Sequence, residues 1–182
     1  MFETLEVILE AKGPEAKAVV WAHNSHIGDA SKTEMGLVRE ELNIGQLCRE
    51  RFGRAAALIG LGTHTGTVAC ASDWDAPVEV KAVNPSRPDS YERLAHDSGF
   101  GRFLLDVRQG RHDSLRHRLL KPRLERFIGV AYRPETERWS HYSACSLPEQ
   151  FDGYAWFDET TAVTPLPTRQ VEGLEETYPF GV

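Results

Sequence analysis

The chain has few cysteines, no long apolar run and no excess of positive charge. Its three cysteines, Cys48, Cys70 and Cys145, are odd in number, far apart and form no Cys-x-x-Cys pair. That argues against a disulfide framework or a thiolate zinc site and for a reducing compartment. Lys and Arg total 21 against 27 Asp and Glu over 182 residues, a formal net charge of −6. Broad phosphate binding depends on dense positive charge, so nucleic acid is not an expected partner. The N-terminus, Met1-Phe2-Glu3-Thr4-Leu5-Glu6, carries acid where a signal peptide has a basic patch and an apolar run. One stretch without formal charge, Ala55 to Ser72, approaches membrane-spanning length. It holds Gly60, Gly62, Thr63, His64, Thr65, Gly66 and Thr67 at its centre, which a bilayer core disfavours. No membrane span is expected, and the expected location is cytoplasmic.

Several catalytic signatures are also missing. There is no Gly-x-Ser-x-Gly elbow, so a serine hydrolase of the usual α/β type is disfavoured. Walker-type phosphate loops, zinc-deaminase signatures and the helical His-Glu-x-x-His pattern are absent. Neither an internal repeat nor a low-complexity tract interrupts the chain.

What remains is the composition of an ordinary globular protein, 41% apolar and 26% charged. The length predicts one domain, over residues 1–165, followed by an acidic tail over 166–182 that carries Glu172, Glu175 and Glu176. Phe2, Leu5, Ile8 and Leu9 share a helical face, and Gly13-Pro14 ends that helix. Lys17 to Ala22 is an apolar run of strand length. A helix is expected over Asn43–Phe52, with Ile44, Leu47 and Cys48 inward and Gly53 beyond its end. Residues 55–61 and 67–72 are expected to be two buried strands joined by a turn at 63–66. Helix 89–96, strand 102–107, helix 112–120, strand 126–132 and a last strand over Tyr154–Phe157 complete the pattern. Alternating helices and short apolar strands predict an α/β fold, a mostly parallel sheet flanked by helices with at least one hairpin.

The basic stretch Arg108–Arg126 includes Arg111, Arg116, Arg118, Lys121 and Arg123. It has almost no aromatic residues for base stacking, so it reads as a solvated helix face with Leu115 and Leu119 inward. His96, His112 and His117 lie in helical segments beside charged residues and receive no role. His141-Tyr142 could donate hydrogen bonds to a ligand, and a surface position is expected for the pair.

Two segments stand out chemically. His23-Asn24-Ser25-His26 follows a predicted strand, and in open α/β sheets ligands bind beyond the strands' carboxyl ends. Two imidazoles three residues apart can act as a general base and its orienting partner, since each is neutral near working pH. They could equally be two metal ligands, or loop histidines that bond only to backbone. Gly60-Leu61-Gly62-Thr63-His64-Thr65-Gly66 approaches a dinucleotide fingerprint, but its last glycine falls one residue late. A strand-like Thr67-Val68-Ala69-Cys70 follows it instead of a helix. The glycines more plausibly shape a turn that presents His64 at a strand end.

Taken together, the chain resembles the erythromycin esterase family. The carriers are Val20-Trp21-Ala22-His23-Asn24-Ser25-His26-Ile27-Gly28-Asp29, Asn43-Ile44-Gly45-Gln46-Leu47 and Gly60 to Val68. Tyr132-Arg133-Pro134-Glu135-Thr136-Glu137, Pro148-Glu149-Gln150-Phe151-Asp152 and Phe157-Asp158-Glu159-Thr160 follow in order. The resemblance implies hydrolysis of a macrolide lactone or related ester by histidine-activated water, with no cofactor and no metal. It places His23 and His26 as catalytic residues, with Asn24, Asp29 and His64 nearby for substrate. It also implies that this chain is a C-terminal portion of a larger fold. Family chains are considerably longer, and their principal base, with a neighbouring Glu and Arg, lies in an N-terminal half. Two rival expectations stand beside this one. The chain could be a non-enzymatic half-domain that self-associates or binds a partner chain, or a metal-dependent hydrolase built on His23, His26 and His64.

Overall fold

A computed structural model describes residues 1–74 and 76–164; the acidic tail expected over 166–182 lies outside the described residues. The chain opens with α1 (Phe2–Lys12), a short α2 (Asn24–Ile27), α3 (Glu34–Arg39) and α4 (Ile44–Phe52). Strands β1 (Ile59–Cys70) and β2 (Glu79–Val83) precede α5 (Tyr91–Asp97), β3 (Arg102–Asp106) and α6 (Asp113–Leu119). Then come β4 (Arg123–Arg126), α7 (Glu137–Ser140), β5 (Tyr142–Cys145), α8 (Leu147–Gln150) and β6 (Gly153–Thr160). Among the described residues, no helix is long and apolar enough to cross a membrane.

The main sheet has the order β2-β1-β6-β3, and β4 and β5 form a separate two-stranded ribbon. Among the strands of the described residues, only β1 and β6 pair in parallel; β1–β2, β3–β6 and β4–β5 are antiparallel. The sheet is therefore mixed, not mostly parallel. Alternation of helices and strands constrains which elements exist, while strand direction depends on connections that periodicity does not report.

The expected turn at 63–66 is not there. Residues 59–70 form one strand that changes partner midway. Its first part pairs with β6, its last with β2, and Gly66 faces Thr160 on one side and Val83 on the other. Gly66 has φ 118°, and a Cβ there would run into the Thr160 backbone, so the crossing point admits only glycine.

The expected strand at 17–22 is also absent. Its residues are unpaired coil, with Val19 and Trp21 almost fully exposed. A strand needs a neighbour to take its backbone groups, and among the described residues none is placed beside it. The strand expected at 126–132 begins and ends earlier, as β4, and β5 pairs with it.

Along β6, Tyr154 and Trp156 point inward and join Tyr91, Val107, Leu147 and Phe151 in the core. Trp156 is fully buried, and its indole N–H has no partner among the described residues; Trp21, Trp74 and Trp139 are exposed. Burial of a side chain such as Phe151 contributes about 1.5–3 kcal/mol. The opposite face of the same sheet is bare. Ile59, Leu61 and Phe157 are each more than two-fifths exposed, and Leu104 is 70% exposed. The helices thus cover one face only among the described residues. Of the two α6 leucines expected inward, Leu119 packs against the core while Leu115 is exposed; α6 also turns Arg116 inward, where it donates to the Val107 and Pro148 carbonyls at 3.0 and 3.2 Å.

Candidate active site

The segment 23–29 is held in place by neighbours on three sides. His23 is the N-cap of α2, and its Nδ1 accepts from the Ser25 backbone N–H. Asn43 caps α4 by accepting from the Gln46 N–H at 2.9 Å. Its amide nitrogen donates to the carbonyls of Ser25 and Gly28 at 2.7 and 2.8 Å. Gly45 lets α4 come this close, since a Cβ there would collide with the Ile27 and Gly28 carbonyls. The Asp29 N–H donates to the Gln150 carbonyl.

On the remaining side Asn24 docks on the unpaired edge of β1. Its Oδ1 accepts from the Leu61 N–H at 3.0 Å, and its Nδ2 donates to the Leu61 carbonyl at 2.7 Å. The side-chain amide replaces a missing strand at that residue. The second Nδ2 hydrogen reaches Glu125 Oε1 at 3.1 Å.

His23 and His26 come together, their ring centroids 6.4 Å apart. His23 is half-buried and packs edge-on to Phe127, with centroids 6.1 Å apart. The Ser25 hydroxyl lies 2.8 Å from its Nδ1, and the Ile128 carbonyl engages the ring as well. Burial lowers its pKa from 6.5 to about 4, helped by the neighbouring His26 and His141 and opposed by the Ile128 carbonyl. His23 is therefore a neutral hydrogen-bond acceptor at neutral pH. His26 is exposed. With Asn24, Ser25, Asn43 and Gln150 it lines a cleft of about 220 Å³, flanked by Met35 and Leu42. Ser25 and His26 both line that cleft, and His23, which does not line it, bonds to the Ser25 hydroxyl and can accept its proton.

The other residues picked out in the sequence are placed differently. The Asp29 carboxylate accepts from both the N–H and the hydroxyl of Ser31 and so caps the next turn. His64 is buried on β1 in a different group of side chains. Its Nδ1 lies 2.6 Å from the Ser86 hydroxyl, and its ring stacks on His96 at 3.6 Å. Burial lowers its pKa, and His96 and Arg93 act in the same direction. His96, without a role in the sequence reading, completes this group through a 2.7 Å contact with Asp158. His141 and Tyr142, expected at the surface, are buried. The His141 Nε2 accepts from the Arg133 N–H, and the Tyr142 hydroxyl accepts from the Arg87 N–H. Among the described residues, no group of three or more His, Cys, Asp or Glu is disposed to hold a metal ion.

Asn43, Glu125 and Gln150 also belong to this site, and no site role is legible for them in the sequence. Asn43 reads as a helix start and, like Gln150, as part of a segment that carries the family resemblance; Glu125 reads as a charge in a basic stretch.

The chain is similar to three solved structures. A succinoglycan biosynthesis protein is 25% identical, with a TM-score of 0.62 over 78% of this chain and 33% of its own. A Bacillus cereus protein is 17% identical, with a TM-score of 0.69 over 88% of this chain and 37% of its own. A mutant erythromycin esterase in its open conformation is 16% identical, with a TM-score of 0.49 over 87% of this chain and 35% of its own. The chain thus spans about a third of the length of each. Residues 1–160 match the erythromycin esterase family, and the chain belongs to that family.

Proposed function

We propose that this chain carries the histidine loop of an esterase-like hydrolase that opens a macrolide lactone or a related ester with histidine-activated water. The observation that supports the reading most is that exposed His26 lines a cleft beside Ser25, whose hydroxyl bonds to a neutral, acceptor-ready His23. Water attack on an ester needs a base that is unprotonated at working pH and within hydrogen-bond reach. His26 faces the cleft directly, and His23 reaches it through Ser25. Asn24 and Asp29 serve the shape of the loop, since their polar atoms are engaged by the chain. The reading requires no metal and no cofactor. The family resemblance assigns the principal base to a half of the fold that these residues do not represent, so turnover by the 182 residues alone is expected to be weak. Incubation with a macrolide and with simple aryl esters, followed by mass spectrometry for a gain of one water, tests this. Slow turnover that disappears in His26→Ala is the expected result; turnover that survives loss of both histidines overturns it.

A second reading, a half-domain that binds a partner chain, is favoured by the bare apolar sheet face of Ile59, Leu61, Leu104 and Phe157. Exposed contiguous apolar surface of this kind is typical of an interface. Light scattering coupled to size exclusion is then expected to find an assembly larger than 20.4 kDa. A monodisperse monomer that binds no apolar dye counts against it.

A further inference from the structure

Glu125 is fully buried on β4, 101 residues from the histidine loop in sequence yet in contact with it. Burying a carboxyl group is costly, and an apolar side chain of similar volume would suit most interiors better. This one is surrounded by donors. Oε1 accepts from Asn24 Nδ2 at 3.1 Å, Oε2 accepts from the Cys145 thiol at 3.1 Å, and the Gln150 amide also bonds to it. Glu92, buried on α5, is the acidic neighbour; its Oε1 accepts from the Arg126 N–H, and its Oε2 has no partner among the described residues. Burial, and then Glu92, push the Glu125 pKa up to about 8. The group thus holds its proton at neutral pH, and Oε1 can accept from Asn24 as a carbonyl oxygen.

The Asn24 amide has two donor hydrogens and one accepting oxygen at work, and all are engaged: Leu61 N–H, Leu61 C=O and Glu125. Turning the amide over would set its oxygen against the Leu61 carbonyl and its NH2 against the Leu61 N–H, so Leu61 fixes which way it faces, and Glu125 adds the third contact that anchors the amide in this seat. Asn24 lies directly between His23 and Ser25 in the chain. Any change in its seat on β1 is passed to both neighbours by the backbone.

We infer that Glu125 is a positioning residue of the histidine loop, anchoring the Asn24 amide on the free edge of β1 and thereby setting where His23, Ser25 and His26 stand. This rests on the hydrolase reading above for its effect on turnover, but not for its effect on the loop.

The test follows the His23 and His26 imidazoles by nitrogen NMR in the intact chain, beside turnover. Glu125→Asp keeps the carboxyl group and draws it back from Asn24. It is expected to move the resonances of both rings and, with an active preparation, to lower kcat by about a hundredfold with a much smaller change in KM. Glu125→Gln keeps an oxygen for Asn24 and is expected to leave the ring resonances in place. A purely structural role for Glu125 would lower the unfolding temperature without separating Asp from Gln in this way. Folded Glu125→Asp with unmoved imidazole resonances overturns the inference. If Glu125→Asp does not fold, Asn24→Ala is used. Loss of that donor is expected to move the rings and to raise the midpoint of the Glu125 carboxyl titration, and an unmoved midpoint overturns the inference. Rings that move in a protein without hydrolytic activity would sink the hydrolase reading alone.

Discussion

Arg126→Ala is expected to destabilise the fold by about 3–5 kcal/mol, the cost of breaking a buried ion pair from one side. The guanidinium is only 2% exposed and meets Glu137 Oε1 at 3.1 Å. It also donates to the carbonyls of Asn84, Thr63 and His64 at 2.7, 2.6 and 2.9 Å, and it lies over the Tyr142 ring. Alanine would leave three carbonyls without this donor and a buried Glu137 carboxylate with the Tyr132 hydroxyl as its remaining donor. Lysine is not expected to restore the loss, because a single ammonium cannot reproduce a planar fork that reaches four acceptors. Urea unfolding monitored by circular dichroism is the measurement, read as a lower midpoint with an unchanged slope. Replacing Arg126 and Glu137 together by apolar residues is expected to cost less than the single change, since no charge is then stranded. A loss below about 1 kcal/mol for Arg126→Ala would mean that the pair is solvated in solution.

His23→Ala is expected to lower hydrolysis by about 10²–10⁴-fold, the usual contribution of a positioned acid or base. The pH behaviour distinguishes His23 from an ordinary histidine. Held near a pKa of about 4, it stays neutral well below pH 6.5, so its own protonation does not limit turnover until the pH approaches 4. Stability behaves differently over the same interval. The unfolded chain protonates His23 near pH 6.5 while the folded chain resists until about 4, so the unfolded state binds more protons between the two values. Stability is therefore full above about pH 6.5 and falls as the pH is lowered toward 4. His64 and His141, also lowered by burial, add to the same trend. His23→Gln is expected to flatten part of this acid slope in denaturation curves recorded across that window. An unchanged slope would show that His23 is solvated in the folded protein.

The elements that announce themselves in the sequence are those with local punctuation. Asn43 and Gly53 bracket α4 as cap and stop, and the apolar run from Tyr154 to Phe157 marks β6. The elements that escaped depend on contacts made at a distance. β1 was divided in two because glycines usually mean turns, whereas here Gly66 serves a close approach to Thr160 from the far end of the chain. Lys17–Ala22 has strand composition but no partner to make it a strand. Within the candidate site the histidines were conspicuous by residue type. Their supports were not: nothing near Glu125 in sequence connects it to Asn24, and His96 meets Asp158 only because α5 packs against β1 and β6.

The placement of the four tryptophans has a spectroscopic consequence. Trp21, Trp74 and Trp139 lie in water, at 87%, 61% and 81% exposure, while Trp156 is sealed in the core. Native emission will therefore be dominated by red-shifted, iodide-quenchable indoles, and the usual red shift on unfolding will be small. The unquenched remainder in iodide belongs to Trp156, and its decay is the optical signal that follows the sheet itself.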